Sequence, residues 1–324
     1  YIGDMANNSP LRPSNEPYDA VVVGAGLSGL AAARDLRRRG LDIVVLEASD
    51  RIGGRVRTER FPGGVAELGA QWVGRGQHRV RRLAAELGIE LTAIDLAGTH
   101  IFDLGSGTAG DVARRLTSAK VLVDGAQLGA RRWWLTRRIR RERPSQIRGA
   151  FRLDATSFAD WLDARAWTRE GADGLRYLAE GGTCTSATEV SALEVAAQLA
   201  TMGGLRALAH ADAFAVTGGV DQFASGLAAE ISDRIRTGNP VEAISAAEDG
   251  VRVRTPHGEV VGRDVVMAVP PAALPANEVD PALGELARWE PGELAQARVV
   301  KQVLVYDSPW WRDRGLSGQA DTPT

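Results

Sequence analysis

The stretch DAVVVGAGLSGLAAARDLRRRGLDIVVLEASDRIGGRVRT, from Asp19 to Thr58, decides the fold, and the rest of the chain is read outward from it. Asp19 to Val23 is a short β-branched apolar run, the signature of a buried strand. Gly24-x-Gly26-x-x-Gly29 follows at once and opens an Ala/Leu-rich segment with apolar positions at helical spacing as far as Arg39. Strand, tight turn and helix in this order form an anion grip. Gly24 permits the turn, Gly26 leaves room for a pyrophosphate, and Gly29 lets the helix lie close to the strand. Gly40 ends the helix and Ile43 to Leu46 form the next buried strand. Glu47 sits at its tip, roughly 20 residues past the glycines, where a carboxylate accepts both ribose hydroxyls. A lone GxGxxG is a weak signal; here the strand, helix, second strand and terminal acid agree on a dinucleotide site.

Arg51-Ile52-Gly53-Gly54-Arg55 then places two flexible residues between two guanidiniums. NAD folds do not need this loop. A Gly-Gly turn brings N–H groups onto a second face of the pyrophosphate, and Arg55 offers a planar fork for phosphate oxygens. The bland alternative is a solvated turn.

Composition bounds the rest. With 324 residues, 44% hydrophobic and 25% charged, the chain buries a full core and its length points to two domains. A net charge of -2 argues against bulk attraction to nucleic acid or to anionic membrane. The single cysteine, Cys184, excludes an internal disulfide, and the four histidines show no metal-ligand spacing. No signal-peptide core or membrane-length apolar run is present, so the leader reads as disordered and the protein as cytoplasmic. Lysine occurs only at Lys120 and Lys301, so arginine makes up 37 of the 39 basic residues.

Along the chain, Phe61 to Gly64 reads as a turn and Glu67 to Trp72 as a small-residue stretch with one aromatic. His78 to Leu87 is an amphipathic helix capped by Gly88, Thr99 to Gly110 a loop, and Val121 to Gly125 a hairpin or turn. Arg131 to Arg143, RRWWLTRRIRRER, is the most basic run. Basic residues with aromatics bind nucleic acid or membranes, but one short run in an acidic chain reads better as a solvated helix. Ser157 to Trp167, Gly171 to Gly181 and the segment from Thr188 give a helical insert, with cap residues ahead of Leu193. Cys184, in a loop with no histidine nearby in sequence, reads as an incidental thiol. A helix from Phe223 to Arg234 is followed by strands over Val241–Ala246, Gly250–Thr255 and Glu259–Val269. Val299 to Tyr306 reads as a long apolar strand with Lys301 inside it.

The runs VVVGAGLSGLAAARDL, VVLEASDRIGGRVRT and ELGAQWVG, with TEVSALEVA, GGVDQFASGLA, DVVMAVPP and VVKQVLVYDSPWWRD later, resemble the flavin-containing amine oxidases in order and spacing. The resemblance covers the chain from about Tyr18 and is thinnest between Thr92 and Ala179. It implies a Rossmann-like α/β FAD-binding domain, discontinuous over 18–77 and 215–272, with a helical and sheet substrate domain over 78–214 and 273–324. It implies non-covalent FAD, with Gly69, Ala70, Gln71 and Trp72 beside the isoalloxazine and Val241 by the adenine. It further implies Lys301 as the residue holding a water at flavin N5. The activity implied is oxidation of an amine to an imine, with reoxidation by molecular oxygen and release of peroxide. The resembled enzymes continue well beyond Thr324, so the expectation is a C-terminally incomplete fold, completed in a homodimer or by a second chain. Two alternatives stay open: a flavin-binding but catalytically incomplete protein, and an NAD-dependent dehydrogenase.

Overall fold

In the computed structural model, the described residues are 12, 16–102, 123, 127, 144–202, 213–248, 250–270, 273, 279–283 and 297–321. The basic run Arg131–Arg143 and the turn around Val121–Gly125 lie essentially outside them. The elements begin with β1 (Tyr18–Val23), α1 (Leu27–Arg38) and β2 (Ile43–Leu46). Apolar residues on both faces of a strand require cover on both sides, and both strands have it. Ala20, Val22, Ile43 and Val45 face a core that includes Leu30 and Ala33 of α1. Val21, Val23, Val44 and Leu46 face the opposite cluster, with Ile244, Val253 and Val260. Each such buried Val, Leu or Ile contributes about 1.5–3 kcal/mol of transfer free energy.

A hairpin follows, β3 (Thr58–Phe61) and β4 (Gly64–Glu67), then β5 (Trp72–Val73), α2 (His78–Glu86), β6 (Leu91–Ala93) and β7 (Thr99–Phe102). The helical layer is α3 (Ala150–Asp154), α4 (Phe158–Asp163), α5 (Arg169–Thr183) and α6 (Ala192–Met202). It has a core of its own around Phe158, Trp161, Leu162, Val195 and Leu199. Its helices start where hydroxyls take up unpaired N–H groups: Ser157 accepts from Asp160 N–H, Thr168 from Gly171 N–H and Ser191 from Glu194 N–H. Cys184 ends α5 in the left-handed conformation, with its thiol exposed.

The chain then returns through β8 (Phe214–Val216), α7 (Gln222–Ala228), β9 (Ile235–Arg236), β10 (Ala243–Ala247), β11 (Gly250–Thr255) and β12 (Gly258–Met267), and ends in β13 (Leu316–Asp321). The main sheet has the order β10-β11-β12-β1-β2-β9. Its β12, β1, β2 and β9 run parallel, while β10 to β12 form an antiparallel meander. This contains the Rossmann-like βαβ unit expected from the opening motif, with α1 crossing over between β1 and β2.

Three expectations change. The helix expected from Phe223 to Arg234 stops at Ala228, because the chain must turn at buried Ile231 to enter β9 beside β2. Thr99 to Phe102, read as loop, is a strand paired in parallel with β13 more than 200 residues later. Val299 to Tyr306 is no strand. An apolar run joins a sheet only where a neighbour takes its N–H and C=O groups, and among the described residues none does. The segment stays exposed, Val300 at 87% and Leu304 at 72%.

Candidate active site

At the carboxyl ends of β1 and β2 the two glycine loops meet. Gly24 sits at φ +100°, open to glycine and costly for other residues, and donates its N–H to Leu46 O at 2.8 Å. Gly29 lies so close to this turn that a Cβ there would fall 1.9 Å from the Gly24 carbonyl oxygen. Gly26 differs: a Cβ built on it meets nothing within 4 Å. It opens α1, whose N-terminus has no side-chain cap and no acidic residue in its first turn. A helix start with bare N–H groups, open space and no acidic residue of its own in the first turn suits an anion.

The second loop docks onto the first. Gly53 N–H donates to Ala25 O at 2.8 Å, and Gly26 and Gly53 pair as a parallel bridge. The two arginines divide the work. Arg51 turns inward, donating to the carbonyls of Ile52, Gly54 and Val56, and so holds the Gly53–Gly54 turn in shape. Arg55 stays exposed on the outer side. Its carbonyl accepts from Ala70 N–H at 3.0 Å, and a Cβ on Gly69 would lie 2.0 Å from that same oxygen. Only glycine lets the 69–72 segment approach this closely.

Glu47 closes one end. Its Oε2 accepts from Ala25 N–H at 2.7 Å, and its Oε1 accepts from the N–H and hydroxyl of Ser49. Asn239 N–H donates to the Glu47 carbonyl at 2.8 Å, bringing the segment that carries half-buried Val241 alongside. Lys301 closes the other end. Its Nζ donates to Gln71 Oε1 at 2.6 Å and to Gly69 O at 3.2 Å, and lies 5.9 Å from the Trp72 ring centroid. The residue as a whole is exposed, but its ammonium tip turns in under this segment. Burial pushes its pKa below the usual lysine value, while the charge of Glu67 pulls it upward. The residues picked from sequence thus lie along one run of contacts, from Val241 and Glu47 through the two glycine loops to Gly69–Trp72 and Lys301.

Three residues around the site were not singled out as site residues, although Glu67 and Asp221 lie in family-like runs. Glu67 is buried; its Oε1 accepts from Val220 N–H and its Oε2 from the Thr58 hydroxyl, both at 2.8 Å. Arg60 donates two hydrogen bonds to buried Asp221, at 2.7 and 2.9 Å, tying the β3–β4 hairpin to the start of α7. The signal for Asp221 was its place just before a helix; nothing local marked Arg60 as its partner 161 residues away. Among the described residues no cluster of His, Cys, Asp or Glu forms a metal site, and no helix is long and apolar enough to cross a membrane.

A model of the family described as flavin containing amine oxidoreductase matches residues 27–324. AofH of Mycobacterium tuberculosis, provisionally named a flavin-containing monoamine oxidase, is 33% identical over 95% of this chain and 69% of its own length. Putrescine oxidase of Kocuria rosea is 31% identical over 93% of this chain and 66% of its own. Among solved structures, wild-type putrescine oxidase bound to putrescine superposes with a TM-score of 0.83 at 29% identity, over 95% of this chain and 70% of that one. Cyclohexylamine oxidase from Brevibacterium oxydans IH-35A gives 0.73 at 25% identity, over 84% and 62%. The chain therefore spans about two thirds of the length of these relatives.

Proposed function

Because the chain belongs to the flavin containing amine oxidoreductase family, we propose that it binds FAD non-covalently along the run from Val241 and Glu47 to Lys301 and acts in the oxidation of an amine. The observation that supports this most is the continuity of that run. A phosphate-suited helix start lies in its middle, a carboxylate at one end and a partly desolvated lysine at the other. Glu47 holds the ribose, and Gly24, Gly26, Gly29, Gly53, Gly54 and Arg55 surround the pyrophosphate. Gly69 to Trp72 lie along the ring, with the Lys301 ammonium beside them. When bound, the flavin supplies hydride acceptance from the amine's α-carbon, giving an imine, and its reoxidation by dioxygen yields hydrogen peroxide. The chain's own contribution is to hold the pyrophosphate between the glycine loops, to position the ring along Gly69–Trp72, and to hold a water on the remaining N–H of Lys301. Putrescine and cyclohexylamine are substrates to try first, since they name the relatives' activities.

The strands of the main sheet all come from residues 18–46 and 235–267, which supports a flavin domain over 18–77 and 215–272 with a substrate domain over 78–214 and 273–324. The exposed strip from Val299 to Tyr306 favours a second reading, in which the chain binds flavin but needs another polypeptide for turnover. Purification followed by a visible spectrum tests both: flavin bands released by denaturation are expected, and peroxide formation with amines separates the two. A colourless protein that takes up NAD but not FAD would overturn the proposal.

A further inference from the structure

We propose that Gln71 is a positioning residue whose side-chain carbonyl fixes the direction of the Lys301 ammonium, leaving one N–H aimed away from the chain toward the bound ring. The inference rests on the flavin reading above for what that N–H faces, but not for the Gln71–Lys301 contact.

Counting donors carries the argument. A lysine ammonium has three N–H groups and no acceptor. One goes to Gln71 Oε1 at 2.6 Å and one to Gly69 O at 3.2 Å, so a single donor is left. Lys301 sits in an exposed segment without ladder bonds, so its own backbone does not hold it. Among the described residues its tip is hydrogen-bonded by the 69–71 segment alone, and that segment is held to Arg55 by the Ala70 bond. The Trp72 face, 5.9 Å away, limits the ammonium on one side. Glu67, on β4, is the charged group whose field reaches Lys301. It does not bind the ammonium: its oxygens accept from Val220 N–H and the Thr58 hydroxyl, while the ammonium donates to Gln71 and Gly69. An amide suits the remaining task. It accepts strongly at 2.6 Å yet carries no charge, so it orients the ammonium without forming an ion pair that would hold the proton in place.

The scarcity of lysine makes the test direct. With lysine labelled at Cε, the full chain gives two signals, and Lys120→Arg assigns the Lys301 signal. The expected result is that Gln71→Glu raises the Lys301 pKa by on the order of one unit through a new ion pair. Gln71→Leu should lower it through loss of the hydrogen bond to the charged form. An unchanged far-ultraviolet circular dichroism spectrum in both variants reports an intact fold. A Lys301 titration unmoved in both variants would overturn the proposal. Adding FAD to the parent protein should shift the Lys301 signal. If FAD binds, by its visible spectrum, without moving Lys301, the ring-facing direction is wrong. If FAD does not bind at all, the flavin reading fails, while the two variants still decide the Gln71 contact.

Discussion

At the residue scale, Glu47 and Lys301 mark the two ends of the site, and each supports a separate prediction. Glu47→Ala removes a charged acceptor for ribose and also the partner of Ala25 N–H, which shapes the glycine turn. A hydrogen bond to a charge contributes about 1.5–3 kcal/mol, so FAD should bind about ten- to a hundredfold more weakly in a fluorescence titration. Lys301→Met should keep FAD and fold but slow the reoxidation of dithionite-reduced flavin by oxygen, which stopped-flow absorbance measures. An unchanged rate would leave Lys301 a structural residue. Both residues were picked out in sequence, Glu47 from its place at the tip of a buried strand and Lys301 from its rarity and its segment. Glu67 and the Arg60–Asp221 pair were not, because their meaning lies in partners more than 150 residues away.

At the element scale, the glycine-loop helix is fastened to its neighbours by charge as well as by packing. Arg38 donates to Glu230, just beyond α7, at 2.6 and 2.7 Å, and to Glu86 of α2 at 2.8 Å; largely buried Arg34 donates to Glu86 at 2.9 Å. Hydrogen bonding from Arg38 is the main cause that holds both carboxylates below their usual pKa. A carboxylate with a depressed folded pKa adds stability that is present above its unfolded value, near 4.5, and is lost as pH falls through the folded value. Arg38→Met should therefore lower the urea midpoint at pH 7, and the gap to the parent should close in acid below pH 4.5 and shrink in high salt. The boundaries of α1 and β2 were readable from periodicity and glycine. The fate of 299–306 and of β7 was not: an apolar run says only that cover is wanted, and its presence depends on distant chain.

At the scale of the whole molecule, the apolar residues between Val299 and Tyr306, with Trp310, form the largest exposed apolar run among the described residues. Beside it an open groove is lined by Phe61, Val65, Tyr306 and Trp311. Patches of this kind bind apolar probes or other chains. Leu304→Lys together with Val300→Lys should reduce the fluorescence of a bound naphthalene-sulfonate dye severalfold and raise solubility, without lowering FAD affinity. If dye binding is unchanged, the strip is covered in solution. The main sheet has a different consequence, one of timing. Its central strand β1 pairs on one side with β2, only some twenty residues on, but on the other with β12, whose partner residues run from Gly262 to Met267. At about 5–20 residues per second, a ribosome takes roughly 12–50 s to travel from one to the other. For most of that interval both edges of the nascent β1–β2 pair are bare, since β9, the outer neighbour of β2, begins only at Ile235; the β1 edge waits longest, for a strand made almost 250 residues later, and that wait is open to chaperone capture.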